Sequence, residues 1–155
     1  MNKFKLFFFI FILISCSRKE KTIEGDIAFK TVDFSNYYGL NQNRIDKFDI
    51  IIDSMRKIKN PSNDDLSFIN YMDNLKKYNL IKSPYIRLKT KDSIILVYLK
   101  DNDFEKVKNY NSNDLILKNK KIALKMNIEI RGDKIYYCRE LISVKEIEGE
   151  TYTNK

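Results

Sequence analysis

Apolar and polar side chains alternate along several segments of the chain, and this period of two predicts strands. The alternation is clear over residues 26–34, 85–89, 122–130 and 134–147, and it is typical of strands with one buried face. Residues 94–99 are apolar on both faces, which favours a strand at the centre of a sheet. The polar and apolar pattern therefore predicts about five strands.

Two other segments repeat their apolar side chains at a spacing of three and four, the period of an amphipathic helix. These helices are predicted over residues 41–59 and 62–78, with residues 60–62 as a short Asn-Pro-Ser break between them. So short a link favours an antiparallel helical hairpin. A third, shorter helix is predicted over residues 104–110, with Asp103 as its cap.

The last two strands predict a β-hairpin. Gly132 and Asp133 are suited to a two-residue loop, because a glycine adopts the positive φ angle that such tight turns need. The resulting register places Ile128 opposite Tyr137. It also leaves one charged residue, Arg139, on the otherwise apolar face.

The order of the elements predicts an α+β fold. We expect an antiparallel sheet of about five strands with the helical hairpin packed on one face. Residues 25–148 form one domain in this interpretation, and residues 149–155 form a flexible tail.

The N-terminal segment has a different character from the rest of the chain. Lys3 and Lys5 precede an unbroken apolar run over residues 6–14, and Ser15 and Cys16 follow it. A basic start, an apolar run of about 7–15 residues and a small residue at the end are typical of a secretory signal. The run is about half as long as the roughly 18 residues that a membrane-spanning helix needs.

The end of this segment, Leu13-Ile14-Ser15-Cys16, resembles the lipobox of bacterial lipoproteins. The resemblance implies cleavage between Ser15 and Cys16 and a diacylglyceryl group on the Cys16 sulfur. It divides the chain into a signal peptide over residues 1–15 and a lipidated tether over residues 16–24. The alternative is an ordinary secretory signal with an incidental cysteine, although Leu13 then occupies a place that usually holds a small residue.

A lipoprotein of this kind is held on a membrane surface by its acyl chains and does not span the bilayer. We therefore expect the partner of Cys16 to be membrane lipid. The expected location is the cell membrane or the outer membrane, with the domain facing the periplasm. The basic residues that follow Cys16 weakly favour the periplasmic side, because surface export in some Gram-negative groups uses acidic residues there.

The net charge of +8 suggests a nucleic-acid partner at first sight. Only six of the 29 cationic residues are arginines, however, and no run of lysine and arginine exceeds two residues. Recognition of bases and phosphates usually favours the bidentate fork of arginine. We therefore predict no nucleic-acid partner.

The residue inventory excludes several catalytic devices. The chain has no histidine, so Ser-His-Asp and Cys-His arrangements are absent, and so are histidine-ligated zinc sites. If Cys16 carries lipid, Cys138 is the one remaining thiol, and no intrachain disulfide can form. No glycine-rich phosphate loop is present. We predict neither a metal site nor a cofactor.

A few residues remain as candidates for binding or chemistry. Tyr37 and Tyr38 beside Phe34 are the candidate binding residues, because adjacent aromatic rings can stack on a sugar or a peptide. The alternative is that the two rings pack over the edge of the core. The densest acidic set, residues 101–105, predicts a turn and a helix cap, although two carboxylates would suffice for a glycosidase.

Two serines lie in short segments that resemble an O-glycosylation signal of some Gram-negative groups. The segments are Asp53-Ser54-Met55 and Asp92-Ser93-Ile94, and the turn around Ser93 is the more accessible of the two.

These observations lead to one hypothesis and two alternatives. The hypothesis is a lipid-anchored envelope protein whose small domain binds a protein or peptide partner without catalysis. The first alternative is a carboxylate-based envelope hydrolase. The second is an immunity-type inhibitor of an envelope toxin.

Overall fold

The computed structural model describes residues 20–28, 35–110 and 120–148. Within them the chain forms five strands and three helices. In chain order these are β1 (Glu20–Ile27), α1 (Gln42–Arg56), α2 (Asn63–Lys77), β2 (Tyr85–Lys89), β3 (Ile94–Tyr98), α3 (Asp101–Glu105), β4 (Lys120–Arg131) and β5 (Ile135–Glu148).

The five strands close into a small barrel with the order β1-β2-β3-β5-β4. The pairing of β3 with β5 is parallel, and the other pairings are antiparallel. The α+β class is thus confirmed, whereas the purely antiparallel sheet is wrong. The spatial order β4-β1-β2-β3 is that of a Greek key. Small, partly open barrels of this kind are the architecture of OB folds, which does not by itself assign a function.

The interior of the barrel is filled by the inward-facing side chains of all the long strands. On β4 the period of two is regular, because Ile122, Leu124, Met126 and Ile128 are each at most 2% exposed. They pack against the inward side chains of β2, β3 and β5 and against the segment around α3, namely Ile86, Leu88, Val97, Leu99, Val107 and Cys138.

The predicted helical hairpin is confirmed. Asn41 caps α1, and Ser62 caps α2 through a reciprocal pair of hydrogen bonds with Asp65. Two ion pairs show that the helices run antiparallel, because the pair that is later in α1 is earlier in α2. Arg56 at the end of α1 pairs with Asp73 in α2. Another ion pair joins the middle of α1 to the end of α2.

A second core lies between the hairpin and the barrel. Ile52, Met72 and Leu75 are almost fully buried there, and they share one cluster with Tyr98 of β3 and Ile135 of β5. The hairpin therefore covers the part of the barrel where β3 and β5 run parallel. Its burial there stabilises the fold by hydrophobic transfer at about 25 cal/mol per Å² of apolar surface.

The first strand begins earlier than its alternation predicts. β1 starts at Glu20 and pairs with β4 from Glu20 to Asp26, so the assignment of residues 20–24 to the tether is wrong. The polar side chains of this segment lie on the outer face of the barrel, which is why they resemble a solvated linker. The remainder of the predicted strand, residues 29–34, lies outside the described residues.

The turn between β4 and β5 has one residue more than predicted. Gly132 and Lys134 both have a φ of 58°, and the turn includes Asp133 between them. This extra residue shifts the register by one, so that Ile128 lies opposite Cys138 and not opposite Tyr137. The predicted register is therefore wrong.

The short helix also differs from its prediction. α3 covers Asp101–Glu105 and has Lys100 as its N-cap, whereas the predicted helix began at Phe104. Asp103 therefore lies within the helix, 8% exposed, and does not cap it.

Candidate functional site

The clearest irregularity in the barrel is the place where β1 and β2 separate. β1 pairs with β4 over seven residues but with β2 only through Asp26 and Ile27. Gly25 lies at the point of separation, where a Cβ atom would come within 2.5 Å of the carbonyl oxygen of Lys89. From Glu20 to Gly25, one edge of β1 therefore has no partner strand among the described residues. We call this segment the open edge of β1.

The alternation of hydrogen bonds shows which peptide groups line the open edge. The amide of Ala28 donates to the carbonyl oxygen of Arg87 at 2.8 Å, on the β2 side of the strand. In an antiparallel ladder every second residue directs both its N–H and its C=O to the same side. Thr22 and Glu24 therefore direct their peptide groups towards the open edge.

A groove of about 370 Å³ runs beside the open edge. It lies where the hairpin of β2 and β3 diverges from β1. Its apolar lining includes Ile128, which is buried, and four partly buried side chains of the barrel core: Ile23, Ile95, Ile130 and Tyr136. The groove thus exposes part of the core beside an edge of β1 that has no partner strand in the described ranges.

The far wall of the groove is the turn between β2 and β3, whose residues 90–93 line it. The turn is held by its own hydrogen bonds. The amide of Thr90 donates to the carbonyl oxygen of Ser93 at 2.8 Å, and the amide of Ser93 donates to the Thr90 hydroxyl at 3.2 Å. This wall is therefore a closed turn that offers side chains and not strand edges to a ligand.

The outer face of the open edge carries an acidic row. Glu20, Thr22 and Glu24 are exposed there. Glu24 forms an ion pair with Lys125 at 2.7 Å, and this hydrogen bond together with the lysine charge lowers the pKa of Glu24. Thr22 donates to the amide oxygen of Asn127 at 2.6 Å. Each of these contacts is made on the β4 side, which leaves the other side of the row to solvent.

A second hollow, of about 520 Å³, lies around the part of β1 between Glu24 and Asp26. Four lysines line it together with Glu24, Asp26 and Ser143, namely Lys89, Lys91, Lys125 and Lys145. Lys125 is already paired with Glu24. The hollow is an open part of the outer surface with charges of both signs, as is usual for a solvated sheet face.

A third hollow, of about 420 Å³, lies between the end of α2 and the barrel. Arg131 lines it, but its guanidinium group already stacks over the ring of Tyr137 at 4.0 Å and forms an ion pair with Glu129 at 3.1 Å. Lys100, which also lines the hollow, donates to the carbonyl oxygen of Arg139 at 3.0 Å. The cations nearest this hollow are therefore engaged in the fold.

The structure describes two of the three residues of the predicted aromatic platform, Tyr37 and Tyr38. Tyr37 is 4% exposed, and its hydroxyl donates to Asp49 at 2.6 Å, so this ring belongs to the core. Tyr38 is 40% exposed and packs edge-to-face on Phe104 at 5.3 Å. Phe34 lies outside the described residues. Of the two described residues, Tyr38 is the one that exposes its ring.

The tyrosines in the core serve packing. The hydroxyl groups of Tyr71 and Tyr98 are hydrogen-bonded to each other, and the ring of Tyr85 lies 6.0 Å from that of Tyr98. Burial raises the pKa of Tyr98 and of Tyr71, so both remain neutral. They stabilise the junction between the hairpin and the barrel.

The acidic residues do not form a metal site in the described ranges, where no group of three potential ligands comes together. Asp103 is paired with Lys106 at 2.8 Å. Three carboxyl groups in these ranges have a shifted pKa, and in each it is lowered: Glu24, Asp49 and Asp65. A general acid needs a raised pKa, so these groups do not favour hydrolase chemistry.

Three further candidate residues can be placed. Cys138 is fully buried, and burial raises the pKa of its thiol to about 11. Ser54 donates to the carbonyl oxygen of Ile50 within α1, whereas Ser93 lies exposed in the turn of the β2–β3 hairpin. Ser15 and Cys16 lie outside the described residues.

In the described part of the chain, no helix has the length and apolarity needed to cross a bilayer. No family model, no curated protein and no solved structure matches the chain.

Sequence reasoning missed the open edge, because it assigned residues 20–24 to the tether. A signal was present, since Ile23, Gly25 and Ile27 continue the alternation towards the N-terminus. The polar residues between them concealed it.

Proposed function

We propose that this chain is a lipid-anchored protein of the bacterial cell envelope whose domain binds an extended segment of a partner protein. The observation that carries the binding proposal is the open edge of β1 beside its apolar groove. The anchor proposal is supported by Leu13-Ile14-Ser15-Cys16, which resembles a lipobox. No catalytic step is part of this proposal.

The open edge suits strand addition, in which a peptide extends an existing sheet. The peptide groups of Thr22 and Glu24 offer donors and acceptors at the spacing of a β-ladder. Each hydrogen bond formed there contributes only about 0.5–1.5 kcal/mol net. The side chains of the added strand must supply the remainder.

The groove provides that remainder. Alternate side chains of an added strand would point towards Ile95, Ile130 and Tyr136. Burial of apolar surface there contributes about 25 cal/mol per Å². Main-chain pairing thus gives affinity, and the groove selects which side chains fit.

The proposed anchor places this surface close to the membrane. Three residues separate Cys16 from Glu20, where β1 begins. Four residue steps span at most about 13–14 Å. A partner segment that reaches the open edge would therefore lie near the bilayer surface, as part of another envelope protein.

The experiment uses a photo-crosslinking amino acid in the full-length protein in living cells. The crosslinker replaces Ser93 on the groove wall and, in a control, Ile50, which is 65% exposed on α1. We expect one defined adduct from position 93 and none of that mass from position 50. Equal adducts at both positions would contradict the proposal.

Thr22→Pro tests whether the adduct depends on strand addition. Proline removes the amide that faces the open edge and should leave the β4 ladder intact. We expect the adduct at position 93 to disappear with Thr22→Pro and to persist with Thr22→Ala, which keeps the amide. If Thr22→Pro lowers the melting temperature strongly, Glu24→Pro replaces it as the test.

A further inference from the structure

The chemistry of the partner segment follows from the side chains on the two faces of β1. This inference rests on the proposed function. We propose that the segment bound at the open edge alternates basic and apolar residues, with its basic residues opposite Glu20 and Glu24.

The outer face of β1 determines which charge the partner segment needs. Residues directly opposite each other on neighbouring strands project to the same face of a sheet. A strand added to the open edge would therefore have its outward residues beside Glu20, Thr22 and Glu24. The side chains of Glu20 and Glu24 are 61% and 66% exposed, so both are accessible.

The existing neighbours of this acidic row show the same preference. On the β4 side, Glu24 pairs with Lys125 at 2.7 Å, and Glu20 lies 4.0 Å from Arg139. A basic residue of the partner segment, on the open side of β1, would give each carboxylate a second cationic neighbour. An acidic residue there would instead be placed beside a like charge, which is destabilising for directly opposite residues.

The inner face of β1 determines which partner residues are apolar. Ile23 is the β1 side chain that reaches into the groove between the exposed acids, and Ile95, Ile130 and Tyr136 line the same space. Lys21, Lys91 and Asp92, which are exposed, also line it. The inward residues of the partner are therefore apolar where they cover the groove, and the charge preference belongs to the outward row.

The charges of the open edge disfavour two ways of pairing it with a second copy of this chain. If two open edges pair antiparallel with the two Thr22 residues opposite each other, Glu20 of each copy lies opposite Glu24 of the other copy. This register therefore contains two like-charge pairs. A register centred on Lys21 puts two lysines opposite each other. Such like-charge contacts are a known way to protect an exposed strand edge from self-association.

The test compares two short blocked peptides that differ only in charge, one alternating valine with lysine and one alternating valine with glutamate. Binding is measured by fluorescence anisotropy with the mature lipidated protein in a neutral detergent. We expect the lysine peptide to bind at least about tenfold tighter, a ratio that corresponds to about 1.4 kcal/mol.

A charge-reversed variant gives the decisive comparison. Glu20→Lys with Glu24→Lys should reverse the preference towards the glutamate peptide. The matched control, Asp46→Lys with Asp64→Lys, makes the same change in net charge on exposed helical positions. It should leave the order of the two peptides unchanged.

Hydrogen exchange at the amides of Thr22 and Glu24 distinguishes strand addition itself from the basic–apolar composition of the added strand. If both peptides protect these amides and bind equally well, the basic–apolar assignment is wrong and strand addition stands. If the control variant reverses the preference as well, the attraction is non-specific and the assignment is likewise wrong. If neither peptide binds or protects the amides, the proposed function fails and this inference fails with it.

Discussion

Gly25 and Lys89 approach each other so closely that a Cβ on Gly25 would lie 2.5 Å from the carbonyl oxygen of Lys89. This contact closes the barrel at the Gly25 end of the open edge, where the described residues of β1 and β2 pair through Asp26 and Ile27. A side chain at this position would separate the two strands. The contact therefore joins the stability of the barrel to the shape of the groove.

Gly25→Ala should destabilise the protein by about 1–3 kcal/mol, the usual cost of forcing an extra group into a packed site. The free energy of unfolding is measured by chemical denaturation. The matched control is Gly39→Ala, where a Cβ meets nothing within 4 Å and only the φ of 73° is unfavourable. No measurable loss for Gly25→Ala would mean that the approach of β2 to Gly25 does not limit the barrel.

The sequence predicted the helical hairpin and most strands, because local signals determine them. The caps Asn41 and Ser62 and the apolar stripes of both helices are visible without the structure. Barrel closure was not predictable in this way. It depends on the parallel pairing of Val97 with Tyr136, residues that are far apart in the chain and carry no local signal for each other.

The error in the last hairpin has a local cause. Lys134 adopts a φ of 58°, a conformation that is uncommon for residues other than glycine, asparagine and aspartate. The predicted two-residue loop excluded it, and the register was therefore shifted by one. The predicted register placed the charged Arg139 on the apolar face, and this conflict indicated the error. In the structure Arg139 is exposed and approaches Glu129.

Tyr37→Phe should destabilise the protein by about 1–3 kcal/mol, because it removes a hydrogen bond from a buried hydroxyl to a charged acceptor. The measurement is chemical denaturation at neutral pH. The control is Tyr38→Phe, whose ring is 40% exposed and whose loss of the hydroxyl should change stability little. A larger loss for Tyr38→Phe would contradict the core assignment of Tyr37.

Asp49 should make stability depend on pH in the acidic range. Hydrogen bonds from Lys76 and from Tyr37 lower the pKa of Asp49 in the folded protein. Its contribution is therefore complete above the unfolded-state pKa, about 3.9 for aspartate, and is lost as the pH falls through the lower folded-state value. We expect Asp49→Asn to reduce the loss of stability on acidification, as measured by denaturation curves at pH values between neutrality and strong acid. An unchanged pH profile would show that Asp49 does not contribute.

Cys138 should resist thiol reagents in the native protein. It is fully buried, and burial raises the pKa of its thiol to about 11, so very little thiolate is present near neutral pH. We expect reaction with a colorimetric disulfide reagent only after addition of denaturant. Rapid reaction of Cys138 in the native protein would show that the barrel opens around β5.

Cys16→Ser tests the anchor itself. A thioether bond to diacylglycerol requires the cysteine sulfur, so the variant should incorporate no labelled fatty acid and should retain its leader in mass spectrometry. Ser15→Ala is the matched control, because it keeps a small residue before the cysteine and should be processed as the natural protein is. The unfolded mature protein should then show one titratable thiol, that of Cys138, since the sulfur of Cys16 is blocked. Two titratable thiols, or normal processing of Cys16→Ser, would contradict lipidation and remove the reason to place the open edge of β1 near a membrane.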